Sequence, residues 1–161
     1  MCASKPDLIR WHLSHGADPN IIDFRAQDPC IYAAYAGNLE SVKALMEGGC
    51  SVAETRGLIG AAMAKEFSFE IAEYLLGLGV DIDRLERDED DEGLPRDVGK
   101  AAFGTALHRA VESEDLERVK FFLQQGADPT VKGLRPQSLT AIELAELYDL
   151  PEILAALRGL D

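Results

Sequence analysis

Gly16-Ala17-Asp18-Pro19-Asn20 returns as Gly126-Ala127-Asp128-Pro129-Thr130, with weaker copies at Gly49-Cys50-Ser51-Val52 and Gly79-Val80-Asp81-Ile82. The leading glycines stand 33, 30 and 47 residues apart. The first two intervals lie near a period of about 33 residues, and the third is one such period with roughly 14 residues inserted. A fixed period of this length decides the architecture. Each unit is one supersecondary element that cannot bury its apolar face alone and must stack on its neighbours.

A second landmark lies upstream of each glycine. In the fourth unit Thr105-Ala106-Leu107-His108-Arg109-Ala110 is followed by the apolar positions Leu116, Val119, Phe122 and Leu123. In the second, Asp28-Pro29-Cys30-Ile31-Tyr32-Ala33-Ala34 precedes Gly37-Asn38-Leu39-Glu40-Ser41-Val42-Lys43-Ala44-Leu45-Met46. Both read as a short helix, a turn, a longer helix and a loop. The combination resembles the ankyrin repeat, whose pattern runs Thr-Pro-Leu-His-x-Ala-Ala, then Gly-His-x-Glu-Val-Val-Lys-Leu-Leu-Leu, then Gly-Ala-Asp. The resemblance extends over almost the whole chain and implies an all-α solenoid of about four and a half repeats.

The punctuating residues have physical reasons to be there. Ala33, Ala34 and Ala110 let a short inner helix lie close to its partner, where a larger side chain would overpack the seam. Thr105 is placed to cap its helix, and Pro29 falls in a first helical turn, where a missing N–H costs nothing. Gly16, Gly49, Gly79 and Gly126 follow helix ends, where a left-handed backbone is wanted. By the resemblance, His108 hydrogen-bonds backbone in a neighbouring turn and is a brace, not a catalyst.

Other units are less regular. Leu58-Ile59-Gly60-Ala61-Ala62-Met63-Ala64 replaces the Thr-Pro-Leu-His stretch in the third unit, although Ile71, Ala72, Tyr74, Leu75 and Leu76 keep the outer-helix pattern. Thr140-Ala141-Ile142-Glu143-Leu144-Ala145 with Ile153, Leu154 and Leu157 forms a fifth unit, a terminal cap. Leu8, Ile9, Trp11 and Leu13 read as an outer helix with no inner helix before it. The expected organisation is a single ankyrin-repeat domain, 1–161: a partial first repeat 1–20, the second 21–53, the third 54–83, an acidic insertion 84–99, the fourth 100–134 and a capping repeat 135–161.

Composition narrows the setting. With 161 residues, 47% of them hydrophobic, the chain can bury a seam between repeats, and no apolar run approaches the roughly 20 residues of a membrane span. The N-terminus lacks the charged and apolar regions of a signal peptide. Cys2, Cys30 and Cys50 are odd in number and suit reduced thiols. These features lead us to expect a cytoplasmic protein, with the nucleus as the alternative, and no membrane contact. A formal charge of −13 opposes phosphate backbones, so no nucleic acid is expected.

The run Asp88-Glu89-Asp90-Asp91-Glu92-Gly93 imitates the opening of a calcium loop, but the twelfth position, where a bidentate glutamate is required, is Gly99. It reads as a solvated acidic loop, or a docking loop for a basic partner. His12 and His15 lack further ligands at metal spacing. No phosphate loop, nucleophile elbow or Cys-x-x-Cys pair occurs. The chain is therefore expected to be no enzyme, with no catalytic residue, no metal and no cofactor.

The resemblance implies where a partner touches: turn tips and late inner-helix positions line a concave groove. That register selects Phe24, Arg25, Gln27 and Tyr35, then Glu54, Thr55, Lys65 and Glu66, then Ala101, Ala102 and Glu112. In the fifth unit it selects Pro136, Gln137, Leu147 and Tyr148. Phe24, Arg25 and Tyr35 stand out, since aromatic and arginine side chains anchor interfaces. The expected function is a non-enzymatic protein-protein interaction module that binds a partner segment in the concave groove. The alternatives are an enzyme or enzyme accessory binding a small molecule there, and a structural unit that self-associates through the uncapped N-terminal helix.

Overall fold

The computed structural model describes residues 6–23, 27–86, 104–133 and 138–159. Phe24, Arg25, Ala101, Ala102, Pro136, Gln137 and the acidic run Asp88 to Glu92 lie outside the described residues, as does Cys2. Among the described residues the structure is all-helical, and two compact units divide the chain, Met1–Asp81 and Ile82–Asp161.

The first unit holds α1 (Pro6–Ser14), α2 (Pro29–Tyr35), α3 (Leu39–Glu47), α4 (Gly57–Met63) and α5 (Phe69–Gly77). The second holds α6 (Ala106–Glu112), α7 (Leu116–Gln124), α8 (Ala141–Leu147) and α9 (Pro151–Leu157). A seven-residue helix precedes a nine-residue one in the pairs α2–α3, α4–α5 and α6–α7. Each short helix packs on the longer helix that follows it. The inner helices also pack on one another, α2 on α4 and α6 on α8, and so do the outer ones, α1 on α3, α3 on α5 and α7 on α9. This is a helix-turn-helix stack within each unit, as the repeat period requires.

The alanines lie where the seams are tightest. Ala33, Ala34, Ala62, Ala106, Ala110, Ala141 and Ala145 are all fully buried. Gly60 carries the same logic to its limit: a Cβ there would fall 2.2 Å from the Ile31 carbonyl oxygen, so only glycine lets α4 approach the backbone of α2. The outer helices contribute Val42 and Leu45, Ile71 and Leu75, Val119 and Phe122, and Ile153 and Leu157 to the core. Their spacing of three or four residues puts each pair on one helix face.

Helix ends follow the punctuation. Gly16, Gly49, Gly79 and Gly126 all have φ between +87° and +98°. Ala17, Cys50, Val80 and Ala127, one residue on, each donate back to the carbonyl five residues earlier, at 3.0 to 3.2 Å. These are Schellman caps, which satisfy carbonyls left open at a helix end. The tight turns inside the repeats use a second left-handed position, at Gly37, Glu114 and Asp149. The α4–α5 connection departs from this rule. It runs from Ala64 to Ser68, five residues in place of three, and contains no positive φ.

Consecutive repeats are tied together by side chains at their entrances. In the first unit Asp28 caps α2 and is 4% exposed. In the second, His108 Nδ1 accepts the Thr105 backbone N–H at 3.1 Å, so Nε2 carries the proton and donates to the Leu139 carbonyl at 2.9 Å. His108 is thus the expected brace to the next repeat. Burial lowers its pKa, and the bond to Leu139 only partly offsets that.

Candidate functional site

Turn length is what shapes a polar hollow in the first unit. The longer α4–α5 turn carries Lys65, Glu66, Phe67 and Ser68 past the end of α2, and together with Tyr35 and Gly37 they enclose an open hollow of about 440 Å³. Tyr35, the last residue of α2, is 53% exposed, and Lys65 is exposed beside it. Phe67 is half-buried and meets Phe69 edge to face, with ring centroids 4.8 Å apart. A phenol, an ammonium, a carboxylate and an aromatic edge therefore converge where the two repeats meet. The mix suits hydrogen bonding and apolar contact with a peptide.

The other sequence-selected residues separate from this hollow. Gln27 is half-buried and lies with Asp23, each donating its backbone N–H to the other residue, and it lines a different, apolar cleft beside α1. Glu54 is exposed in the turn before α4. Thr55 is corrected: it is 2% exposed, its N–H donates to the Ser51 carbonyl at 2.9 Å and its Oγ1 accepts the Gly57 N–H at 3.2 Å. It braces the start of α4 and has no surface to offer a partner. Glu112, in the second unit, is half-buried and accepts from Arg109 at 2.5 Å. Burial alone would lower the Arg109 guanidinium, but Glu86 and Glu112 beside it raise its pKa, so the three form an internal cluster. Leu147 and Tyr148 are exposed at the end of α8.

The register missed Phe67 and Ser68. The signal was in the chain, since two residues separate Ala64 from Phe67 where the other repeats need a shorter turn, but only a comparison of turn lengths reveals it. The sequence register did place Tyr35, Lys65 and Glu66 on one surface, and the structure brings them together.

The two thiols among the described residues lie in the interior. Cys30 and Cys50 are buried, form no disulfide and are hydrogen-bonded to each other; that bond and burial raise the Cys30 pKa, while the same bond lowers that of Cys50 against the opposing effect of its burial. Among the described residues no group of three His, Cys, Asp or Glu side chains could hold a metal ion, and no helix is long and apolar enough to cross a membrane.

Comparison with curated proteins finds no match. A family model of ankyrin repeats in three copies matches residues 1–86, and a single ankyrin-repeat model matches residues 104–134. The matched segments take in more than half of the chain and contain the stacked pairs α2–α3, α4–α5 and α6–α7 and the four helix ends capped at Gly16, Gly49, Gly79 and Gly126. The chain therefore belongs to the ankyrin repeat family, whose repeats serve generally as protein–protein interaction modules and whose members are typically non-enzymatic.

Proposed function

We propose that the protein is a non-enzymatic binding module that seats a segment of a partner protein in the groove of its second and third repeats, centred on Tyr35 and Lys65. The single observation that carries this reading is the hollow formed where the long α4–α5 turn reaches the end of α2. Its walls offer a tyrosine, the kind of side chain that anchors interfaces, and paired charges that fix the register of a bound strand or helix. The openness of the site supports a polypeptide over a small molecule, which takes a more enclosed pocket. Phe24 and Arg25 extend the proposed surface by register. A cytoplasmic setting suits the unpaired, buried Cys30 and Cys50.

The test begins with affinity capture and mass spectrometry to identify the partner, followed by titration of the purified pair. Tyr35→Ala with Lys65→Ala should weaken binding by about a hundredfold, as the loss of one or two interface anchors does. Unchanged affinity in the folded double variant would place the binding surface elsewhere.

A further inference from the structure

The second repeat holds two thiols in contact, and neither lines the hollow at Tyr35. Cys30 is the second residue of α2, set in place by the Asp28 cap. Cys50 follows the left-handed Gly49 in the turn that ends α3, and its N–H donates to the Leu45 carbonyl at 3.0 Å. Because α2 and α3 pack on each other, two sulfurs about 20 residues apart in the chain share a hydrogen bond. The Cys30 sulfur is also confined on its far side: a Cβ added at Gly57 would fall 2.9 Å from it.

The two sulfurs are not equivalent. Cys30 is fully buried, whereas Cys50 is 5% exposed and stands between exposed Gly49 and half-buried Ser51, at the outer end of the pair. The bond between them lowers the Cys50 pKa against its burial and the Asp28 carboxylate, and raises that of Cys30, so Cys30 keeps its proton and donates it to the Cys50 sulfur. The thiolate is the attacking form of a cysteine. An oxidant therefore meets Cys50 first, with a second thiol already touching it, which is how an attacking cysteine stands to the one that resolves it.

We propose that Cys30 and Cys50 form a redox modification site, at which a peroxide joins them in a disulfide that ties the start of α2 to the end of α3 and a thiol reductant frees them again. In the first step the deprotonated Cys50 sulfur attacks one peroxide oxygen and the O–O bond breaks. The other oxygen leaves as hydroxide and takes up the proton Cys50 gave up, so one water forms and Cys50 is a sulfenic acid. In the second the Cys30 sulfur attacks the Cys50 sulfur, the S–O bond breaks, and the hydroxyl leaves with the Cys30 proton as a second water. The two thiols lose two electrons in all, and the peroxide gains them. Reduction by a dithiol returns both hydrogens and leaves the reductant as its own disulfide.

The test uses the full chain with Cys2→Ser, which leaves only these two thiols to react. Trypsin cuts after Arg25, Lys43 and Arg56 and so puts Cys30 and Cys50 on separate peptides, 26–43 and 44–56. The native protein is treated with hydrogen peroxide, its remaining thiols are alkylated in denaturant, and the digest is read by mass spectrometry. The two peptides should appear joined, two hydrogens lighter than their sum, and dithiothreitol should separate them. The joined protein should melt several degrees higher, as closing a loop of about 20 residues does. In Cys30→Ala the Cys50 sulfenic acid has no thiol to condense with, and dimedone should trap it; in Cys50→Ala the Cys30 thiol should stay open to alkylation. Should either variant fail to fold, the joined peptides and the melting shift of the Cys2→Ser protein decide the matter. Thiols equally alkylated with and without peroxide overturn the proposal, as does a sulfinic acid at either position without joining. A join that forms only in denaturant, or one that lowers the melting temperature, overturns it too.

Discussion

The Asp28 carboxylate holds the start of two helices at once: Oδ1 accepts the Ile31 N–H at 2.8 Å within its own repeat, and Oδ2 accepts the Arg56 N–H at 2.8 Å at the entrance to the next. One side chain thus sets both the beginning of α2 and its spacing from α4. In the second unit His108 ties consecutive repeats with the roles reversed, donating to a carbonyl where Asp28 accepts from an amide.

Asp28→Ala should therefore cost more than a helix cap. Loss of the cap contributes about 0.5–2 kcal/mol, and a buried Arg56 N–H left without an acceptor adds about 1–3 kcal/mol. Asp28→Asn keeps one acceptor oxygen but turns an amide N–H toward the other donor, so it should fall between wild type and alanine. Urea unfolding of the three proteins checks this order; an alanine variant as stable as wild type would show that the bridge contributes nothing.

His108 makes stability depend on pH in a defined direction. Burial lowers its pKa in the folded state, so on acidification the unfolded chain takes up the proton first. Its contribution is complete above the ordinary imidazole pKa of about 6.5 and is lost as pH falls from there toward the depressed folded value. Protonation also places a proton on Nδ1, which now accepts from Thr105. Denaturation curves at a series of pH values below 7 should show wild type losing stability faster than His108→Gln. Parallel curves would remove the histidine from the pH response.

Two glycines should respond in opposite ways to the same substitution. Gly60→Ala drives a methyl into the Ile31 carbonyl, backbone that cannot swing aside, and should destabilise by about 1–3 kcal/mol or more. Gly77, at the end of α5, has open space around its Cα and no positive φ, and Gly77→Ala should stabilise by about 0.4–1 kcal/mol. Thermal melts of the two variants suffice. A stable Gly60→Ala protein would mean that α2 and α4 can separate without loss.

The features that repeat were legible in the chain; the features that break the repeat were not. The left-handed glycines, the buried alanines and the His108 brace follow from recurring constraints, so one clear copy teaches the reading of the next. Asp28 hides because it stands where the pattern has threonine, and its second bond depends on Arg56, 28 residues away. Thr55 misleads for a related reason: the register places it at a turn tip, but the residues from Thr55 to Ala62 are all buried, so the tip folds inward. The hollow at Tyr35 required knowing that the α4–α5 turn is longer than its counterparts, a property of two turns together.

The correction at Thr55 yields a prediction that separates folding from binding. Thr55→Val preserves shape but removes the acceptor of the Gly57 N–H and the hydroxyl that reaches the Cys30 and Cys50 thiols. It should cost about 1–3 kcal/mol of stability through the buried N–H it leaves and leave the affinity of the folded protein for its partner unaltered. Tyr35→Ala and Lys65→Ala should do the reverse, because Tyr35 is largely exposed and Lys65 lies in a solvent-facing turn, where surface changes usually stay within about 0.5 kcal/mol. Melting curves and titration with the captured partner give both axes. If Thr55→Val weakens binding without lowering the melting temperature, the threonine hydroxyl reaches the partner after all. If Tyr35→Ala lowers the melting temperature as far as Thr55→Val does, the tyrosine holds the repeats together, and the hollow loses its anchor.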